Sequence, residues 1–307
     1  MTDALQKIYC ESAVARALTV TLDEAFRESM AHHDWPLAVR RFVGEVLTAG
    51  VLVRGTMAYR GPTVIQIQGD GPLRLVIAEV DENFRFRMCA MMEPGAKIDD
   101  NASMETLVNA HGQGRCGLIL EDQDSESQPY QGIVPLTGKN FAEAITAFFI
   151  QSEQVQTQFE IACDGERAGG IMLQKMPELG GKLDEEKKDE DGWNRLSHFV
   201  SSVQSKELLT LDPATINHRL FWEEKPQIIG EYKPYFQCDC SLDKIENMVR
   251  MMGKADALDA LNDEGVLEAQ CRYCGKTYRL THDDIEKAFE HDEATSKVSG
   301  VTSKDIN

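Results

Sequence analysis

The chain has 307 residues, an apolar content of 42% and a formal net charge of −19. These values suit a globular protein with a sizeable core and more than one domain. The charge argues against nucleic acid or an anionic membrane as the main partner, because both need basic patches. No apolar run is long enough to span a bilayer, and the start, Met1-Thr2-Asp3-Ala4-Leu5-Gln6-Lys7, has no apolar export core. A cytoplasmic, thiol-reducing setting is therefore expected, where structural disulfides are rare.

In chain order, residues 12–22 are rich in β-formers and predict an early strand. His32-His33-Asp34 offers metal-type side chains, but no second ligand cluster has a spacing to match, so a structural role is expected. Asp34-Trp35-Pro36 reads as a helix start with Pro in the first turn. Val39, Phe42, Val43, Val46, Leu47 and Val51 then recur at i, i+3 and i+4, predicting a helix with one buried face. Residues 63–68 alternate, Gly69-Asp70-Gly71-Pro72 turns the chain, and 73–77 returns, which is a hairpin signal. Residues 84–88 add a further alternating strand. Gly112-Gln113-Gly114-Arg115-Cys116-Gly117 matches G-x-G-x-x-G in form only. A strand and then Glu121-Asp122 follow it, where a dinucleotide site needs a helix. A strand over 130–136, a helix marked by Phe141, Ile145, Phe148 and Phe149, and strands at 157–163 and 170–174 complete this region. Ser152 and Glu153 have no His or Asp partners in the pattern that catalysis would need. Hairpins interspersed with helices, without regular βαβ units, place residues 1–178 in the α+β class.

Composition shifts beyond Gly180-Gly181. Asp184 to Asp191 holds six acids and two lysines, the signature of a solvated segment. Trp193, Leu196, Val200 and Val203 then fall at helical spacing, and Asp212-Pro213 starts a second short helix carrying Ile216, Leu220 and Phe221. Residues 179–232 thus read as a helical, amphipathic linker, too short for a core of its own. It must bury its apolar stripe on another domain, which makes it a metastable element.

Four of the eight cysteines lie in two close pairs, Cys238-Asp239-Cys240 and Cys271-Arg272-Tyr273-Cys274, the second followed by Gly275. Two such pairs complete a tetrahedral all-sulfur site, which Zn²⁺ favours, and a Gly after the second arm suits a tight metal knuckle. Cys10, Cys89, Cys116 and Cys163 are scattered in apolar or strand-like contexts and read as core residues. The module over 233–291 shows a helix marked by Leu242, Ile245, Met248, Val249 and Met252 and ending at Gly253. A short second helix, strands flanking the knuckle, and a Thr281/Asp284 cap ahead of Ile285, Ala288 and Phe289 follow. So small a module needs its metal for stability. Residues 233–307 hold 15 acidic and 10 basic residues, the wrong bias for a nucleic-acid ribbon. The tail, 292–307, is polar and expected to be disordered. One arm is C-x-C where ordinary ribbons have C-x-x-C, and thiolates this close can also oxidise to each other. A static structural zinc and a thiol switch both remain open on these residues alone.

The chain resembles the redox-regulated 33-kDa heat-shock chaperone family of bacteria. The resemblance runs through Trp35-Pro36 with Gly44-Glu45, Gln66 to Leu73, Tyr130 to Val134, Gln151 to Gln154, Glu207-Leu208-Leu209 and Arg219-Leu220-Phe221. It reaches the paired cysteines as well. At Ala15-Arg16-Ala17 the chain departs from the Val-Arg-Gly-like strand of the family. The resemblance implies an ATP-independent holdase, not an enzyme, that is inactive when reduced and zinc-bound. Oxidation would pair Cys238 with Cys240 and Cys271 with Cys274, zinc would leave, and the linker would unfold to expose client-binding surface. Unfolded or oxidatively damaged proteins are the implied partners, with a monomer when reduced and a homodimer when oxidised. Trp193, Leu196, Val200 and Val203 are the expected latch of the linker. Competing readings are a thiol-disulfide oxidoreductase, which would want a thioredoxin-like βαβ context, and a purely structural zinc module. No G-x-x-x-x-G-K-[ST] loop is present to drive an ATP cycle.

Overall fold

The computed structural model describes residues 2–121, 129–177, 189 and 191–289. The first part of the expected linker, most of the acidic run at 184–191, and the 292–307 tail lie outside them. The chain forms two compact units, Met1–Gln237 and Cys238–Asn307.

The first unit is built on two sheets. One is five-stranded and antiparallel throughout. It contains β1 (Ala4–Cys10), β2 (Ala15–Leu22), β8 (Thr157–Cys163), β9 (Ala168–Lys175) and β10 (Gln227–Tyr232), in the order β10-β1-β2-β9-β8. The other is six-stranded. It contains β3 (Thr63–Gln68), β4 (Leu73–Val80), β5 (Arg85–Met92), β6 (Arg115–Leu120), β7 (Tyr130–Pro135) and the short β11 (Tyr235–Phe236), in the order β11-β5-β4-β3-β6-β7. Its pairs are antiparallel except β11 on β5. The expected hairpin is β3–β4. The G-x-G-x-x-G segment runs into β6, as its flanking residues imply.

Helix α2 (Leu37–Arg54) packs against strands of both sheets, so 14 of its 18 residues are buried. The sequence predicted one buried face, and the structure corrects this. A helix lying between two sheets has no solvent side to leave polar. It starts at Leu37, one residue after Pro36, which supplies the extended N-cap. Elements that escaped the sequence reading include β1, α1 (Glu24–Met30), the single-turn α3 (Met104–Val108) and α6 (Ser205–Thr210). The strand expected at 12–22 is β2, preceded by a turn at 11–14. Helix α4 (Phe141–Gln151) forms as predicted, with the Asn140 side chain accepting from the Glu143 amide.

Alternation along the strands creates two cores. On β2, Leu18, Val20 and Leu22 face the main core around α2, while Ala15 and Ala17 face the opposite side. On β9, Met172 faces the first and Ile171 and Leu173 the second. The second face is covered by α5 (Gly192–Ser201), α6 (Ser205–Thr210) and α7 (Pro213–Phe221). Asp212 caps α7 through the Thr215 amide, with Pro213 in the first turn. The linker is not helical to its end. Residues 227–232 form β10, and 235–236, given by the sequence reading to the cysteine module, form β11.

The second unit contains α8 (Leu242–Met252), α9 (Lys254–Asp259), the hairpin β12 (Val266–Gln270) and β13 (Thr277–Thr281), and helix α10 over 282–289. Ser241 caps α8, Gly253 at φ +96° ends it, and Thr281 and Asp284 cap α10 reciprocally. Its core is small: Val249, Ala257, Leu267, Tyr278, Leu280 and Ile285 are buried. Among the described residues, no helix of the chain is long and apolar enough to cross a membrane.

Candidate metal centre and the covered sheet face

The four cysteines come from two local turns of the second unit. Cys238 and Cys240 lie just before α8. Cys271 and Cys274 lie in the turn joining β12 to β13, closed by Gly275 N–H donating to the Cys271 carbonyl at 2.8 Å and Cys271 N–H donating to Lys276 at 2.9 Å. Gly275 sits at φ +67°, the left-handed conformation that the knuckle requires. Backbone amides point at sulfur in both arms, Cys240 N–H to Cys238 and Lys276 N–H to Cys274.

All four sulfurs lie within 4.8 Å of one another. Cys238 Sγ is 3.6 Å from Cys271 Sγ and Cys240 Sγ is 3.4 Å from Cys274 Sγ. A tetrahedral zinc–thiolate site with bonds of about 2.3 Å places its sulfurs about 3.8 Å apart. The set therefore fits a metal ion of that kind, and the donors are all soft sulfur. Among the described residues this is the one such His/Cys/Asp/Glu group. His32 and His33 instead lie against aromatic rings, His33 stacked on Trp35 at 3.9 Å and His32 beside Phe236 at 5.5 Å.

Tyr278 is a member of the site that spacing did not reveal. Its hydroxyl donates to Cys240 Sγ at 3.2 Å, from β13 across the hairpin core. Burial works to raise the Cys240 thiol, but this bond and the neighbouring sulfurs outweigh it and bring the thiol down to about 7. Burial pushes Cys238 and Cys274 up, and the hydrogen bond to Cys240 raises Tyr278. Cys10, Cys89 and Cys116 are buried in the first unit, as core cysteines should be, and Cys163 is half-buried.

The candidate latch residues lie on α5 and the turn after it. Leu196 and Val200 are fully buried, and Trp193 and Val203 are half-buried against the same cluster on the outer face of the five-stranded sheet. Polar contacts missed by the stripe accompany them. Arg195 reaches Asp189 at 2.6 Å and Glu224 at 2.7 Å. Buried Asn217 on α7 accepts from Thr19 Oγ1 at 2.6 Å and donates to Gln6 Oε1 at 2.9 Å, and Gln6 donates to Glu231 on β10 at 2.9 Å. Gly169 on β9 lies directly under the Leu208 carbonyl, where an added Cβ would sit 2.2 Å from that oxygen. Small residues here let the helices approach closely. Ser152 ends α4, and Glu153 accepts from the Tyr130 hydroxyl, which gives both a structural place.

A family profile described as Hsp33 protein matches residues 3–281. The chain is 33% identical over 290 residues to the 33 kDa chaperonin of Methylobacillus flagellatus, covering 94% of this chain and 95% of that one. It is 31% identical to the 33 kDa chaperonin of Nitrosococcus oceani, covering 94% of each. Its fold is similar to the crystal structure of the 33 kDa chaperonin from Thermotoga maritima, with a TM-score of 0.76 at 21% identity over 96% of this chain and 100% of that one. The family match spans both sheets, the helices that cover the second core and the four converging cysteines, and the chain belongs to the Hsp33 protein family.

Proposed function

We propose that the protein is a redox-regulated, ATP-independent holdase. Cys238, Cys240, Cys271 and Cys274 hold one Zn²⁺ in the reduced, inactive form. The observation that carries this reading is the convergence of four sulfurs within 4.8 Å in a unit whose own core is six buried residues. Bound there, zinc would keep the sulfurs as thiolates and cross-link the two arms, a contribution on the order of 10 kcal/mol to a small unit of this type.

Following the family, oxidation joins Cys238 to Cys240 and Cys271 to Cys274. Each thiolate pair gives up two electrons to a peroxide- or hypohalite-class oxidant, which takes protons from solvent and is reduced to water or to water and halide. Sulfurs joined in this way no longer serve as thiolate ligands, and the unit loses its cross-link. The linker is continuous in chain with that unit through β11 and Gln237. Its helices have no core except the sheet face they cover, so they form the element of lowest local stability. Their release uncovers apolar sheet surface for unfolding clients, and the same surface on two chains supports a homodimer of the oxidised form.

The test follows metal release with a chromogenic chelator and suppression of aggregation of a heat-unfolded client in the same oxidation time course, with and without ATP. The two signals should rise together and be indifferent to ATP. Full suppression by reduced, metal-loaded protein, or oxidised protein without any suppression, would overturn the reading.

A further inference from the structure

We propose that the edge of β1, which the chain's own β10 masks, is where the activated protein takes up an extended segment of an unfolding client as an added strand. The proposal rests on the redox-opened holdase reading above and names the surface and the backbone mode by which clients are held.

The way β10 is bound carries the inference. Its residues pair with β1 in antiparallel register, Leu5 with Tyr232, Gln6 with Glu231 and Lys7 with Gly230, then Ile8 with Ile228 after a bulge. Yet five of its six residues are exposed, among them Ile228 at 61% and Ile229 at 47%. A strand whose side chains face solvent is held by main-chain hydrogen bonds, and those place almost no demand on sequence. The bulge shows that the β1 edge accepts irregular pairing as well. A site that must take many unrelated sequences needs these two properties.

The mask is also wired to the element that leaves. Glu224, three residues before β10, accepts both the Arg195 guanidinium of α5 and the Ser12 hydroxyl, at 3.0 and 3.2 Å for one carboxylate oxygen. Asn217 of α7 holds Gln6, and Gln6 holds Glu231 of β10. When α5 and α7 detach, β10 loses the Arg195 grip on Glu224 and the Asn217 support of Gln6, and keeps its ladder, the Gln6–Glu231 bond and the Tyr232 ring 4.4 Å from Phe84. Once β10 leaves, the uncovered β1 edge has unpaired N–H and C=O groups, a ready template for another strand. Beside it lies the apolar face formed by Ile8, Cys10, Ala15, Ala17, Ile171 and Leu173, now without its helices. An extended client segment paired to β1 lays alternate side chains toward that face.

Amide hydrogen exchange on the full-length protein tests this, with reduced, carboxymethylated α-lactalbumin as a permanently unfolded client. Oxidation should speed exchange at 4–10 and across 193–221. Adding client should slow exchange at 4–10 by roughly tenfold or more while 193–221 stays fast. Client that co-sediments with the oxidised protein while 4–10 stays unprotected overturns the strand-addition mode and leaves the holdase reading intact. Protection returning at 4–10 on raising protein concentration without client assigns the edge to a second copy and overturns the proposal. Absence of any co-sedimenting client overturns the holdase reading itself. As a second variant, reduced and metal-loaded Ile228→Pro, checked for fold by near-ultraviolet circular dichroism, should bind the client without oxidant. A folded variant that binds none counts against the edge.

Discussion

Arg195 grips Glu224 with two nitrogens, Nε to Oε1 at 2.7 Å and Nη2 to Oε2 at 3.0 Å, and so ties helix α5 to the turn that leads into β10. This bidentate pair also holds the Glu224 carboxyl below its ordinary value of 4.5, with burial opposing. The folded pKa is depressed, so the stabilisation is fully present above 4.5 and is lost as pH falls through the lower folded value. Acid should loosen the docked helices in that window. Glu224→Gln should remove this part of the pH dependence and leave the segment looser at neutral pH, seen as faster amide exchange across 193–201. Unchanged exchange would mean that the pair contributes nothing to docking.

Gly169 supplies a sharper steric test. An alanine there brings Cβ to 2.2 Å from the Leu208 carbonyl oxygen and to 3.3 Å from that of Val20, both backbone atoms that cannot swing away. Gly169→Ala should push α6 off the sheet at a cost of about 1–3 kcal/mol, raise exchange at 205–210, and give partial holdase activity before oxidation. Gly117→Ala is the control, because its nearest backbone neighbour lies at 3.6 Å. Equal melting temperatures for the two variants would refute the close-approach account.

Trp193 is half-buried at the rim of the same cluster, beside the fully buried Leu196 and Val200. Trp193→Ala should loosen α5 and lower the dose of oxidant needed for activity. Exchange at the wild-type level together with an unchanged oxidant requirement would remove Trp193 from the latch.

At the cysteine centre, Cys271→Ser should abolish most zinc binding by metal analysis. Tyr278→Phe keeps the buried ring but loses the 3.2 Å donor to Cys240 Sγ. Partners of this kind are worth roughly 10- to 100-fold in metal affinity. Competition with a chelator of known affinity should therefore show about tenfold weaker binding in Tyr278→Phe. Affinity equal to wild type would reduce the hydroxyl to a bystander.

Peptide mapping after mild oxidation checks the disulfides. The proposed pairing joins cysteines within each arm, whereas two short sulfur separations, 3.4 and 3.6 Å, run between arms. Linked peptides containing Cys238 with Cys240, and Cys271 with Cys274, are expected. Cross-arm linkage as the main product would contradict the proposed switch, because it would keep the two arms tied.

Burial of the carboxyl end of Glu45 on α2 raises it to about 7. A raised folded pKa favours the protonated acid, so the contribution is present below 4.5 and is lost as pH rises through about 7. Glu45→Gln should stabilise the first unit at pH 8 by on the order of 2 kcal/mol and give little at pH 5. Melting temperatures at the two pH values decide this, and an equal shift at both would rule out titration of Glu45 as the cause.

The features legible in sequence are those fixed by neighbours a few residues apart. A C-x-C or C-x-x-C arm with Gly275 behind it is a local turn, so the sulfur pairs could be read from spacing. The Leu196–Val200 step, the Asp212-Pro213 cap and the β3–β4 turn are local for the same reason. Tertiary structure alone decided what depends on distant partners. Alternation in β2 is masked because both faces are buried, and α2 lost its polar side by lying between two sheets. Strand β10 carries Ile228 and Ile229 outward and shows no alternation, because it is held largely through its backbone ladder with β1, more than 200 residues earlier in the chain. The places of Gly169 under Leu208, Asn217 on Gln6 and Tyr278 on Cys240 are likewise long-range. Periodicity reports which side of an element avoids water, and only the folded chain specifies what stands on that side.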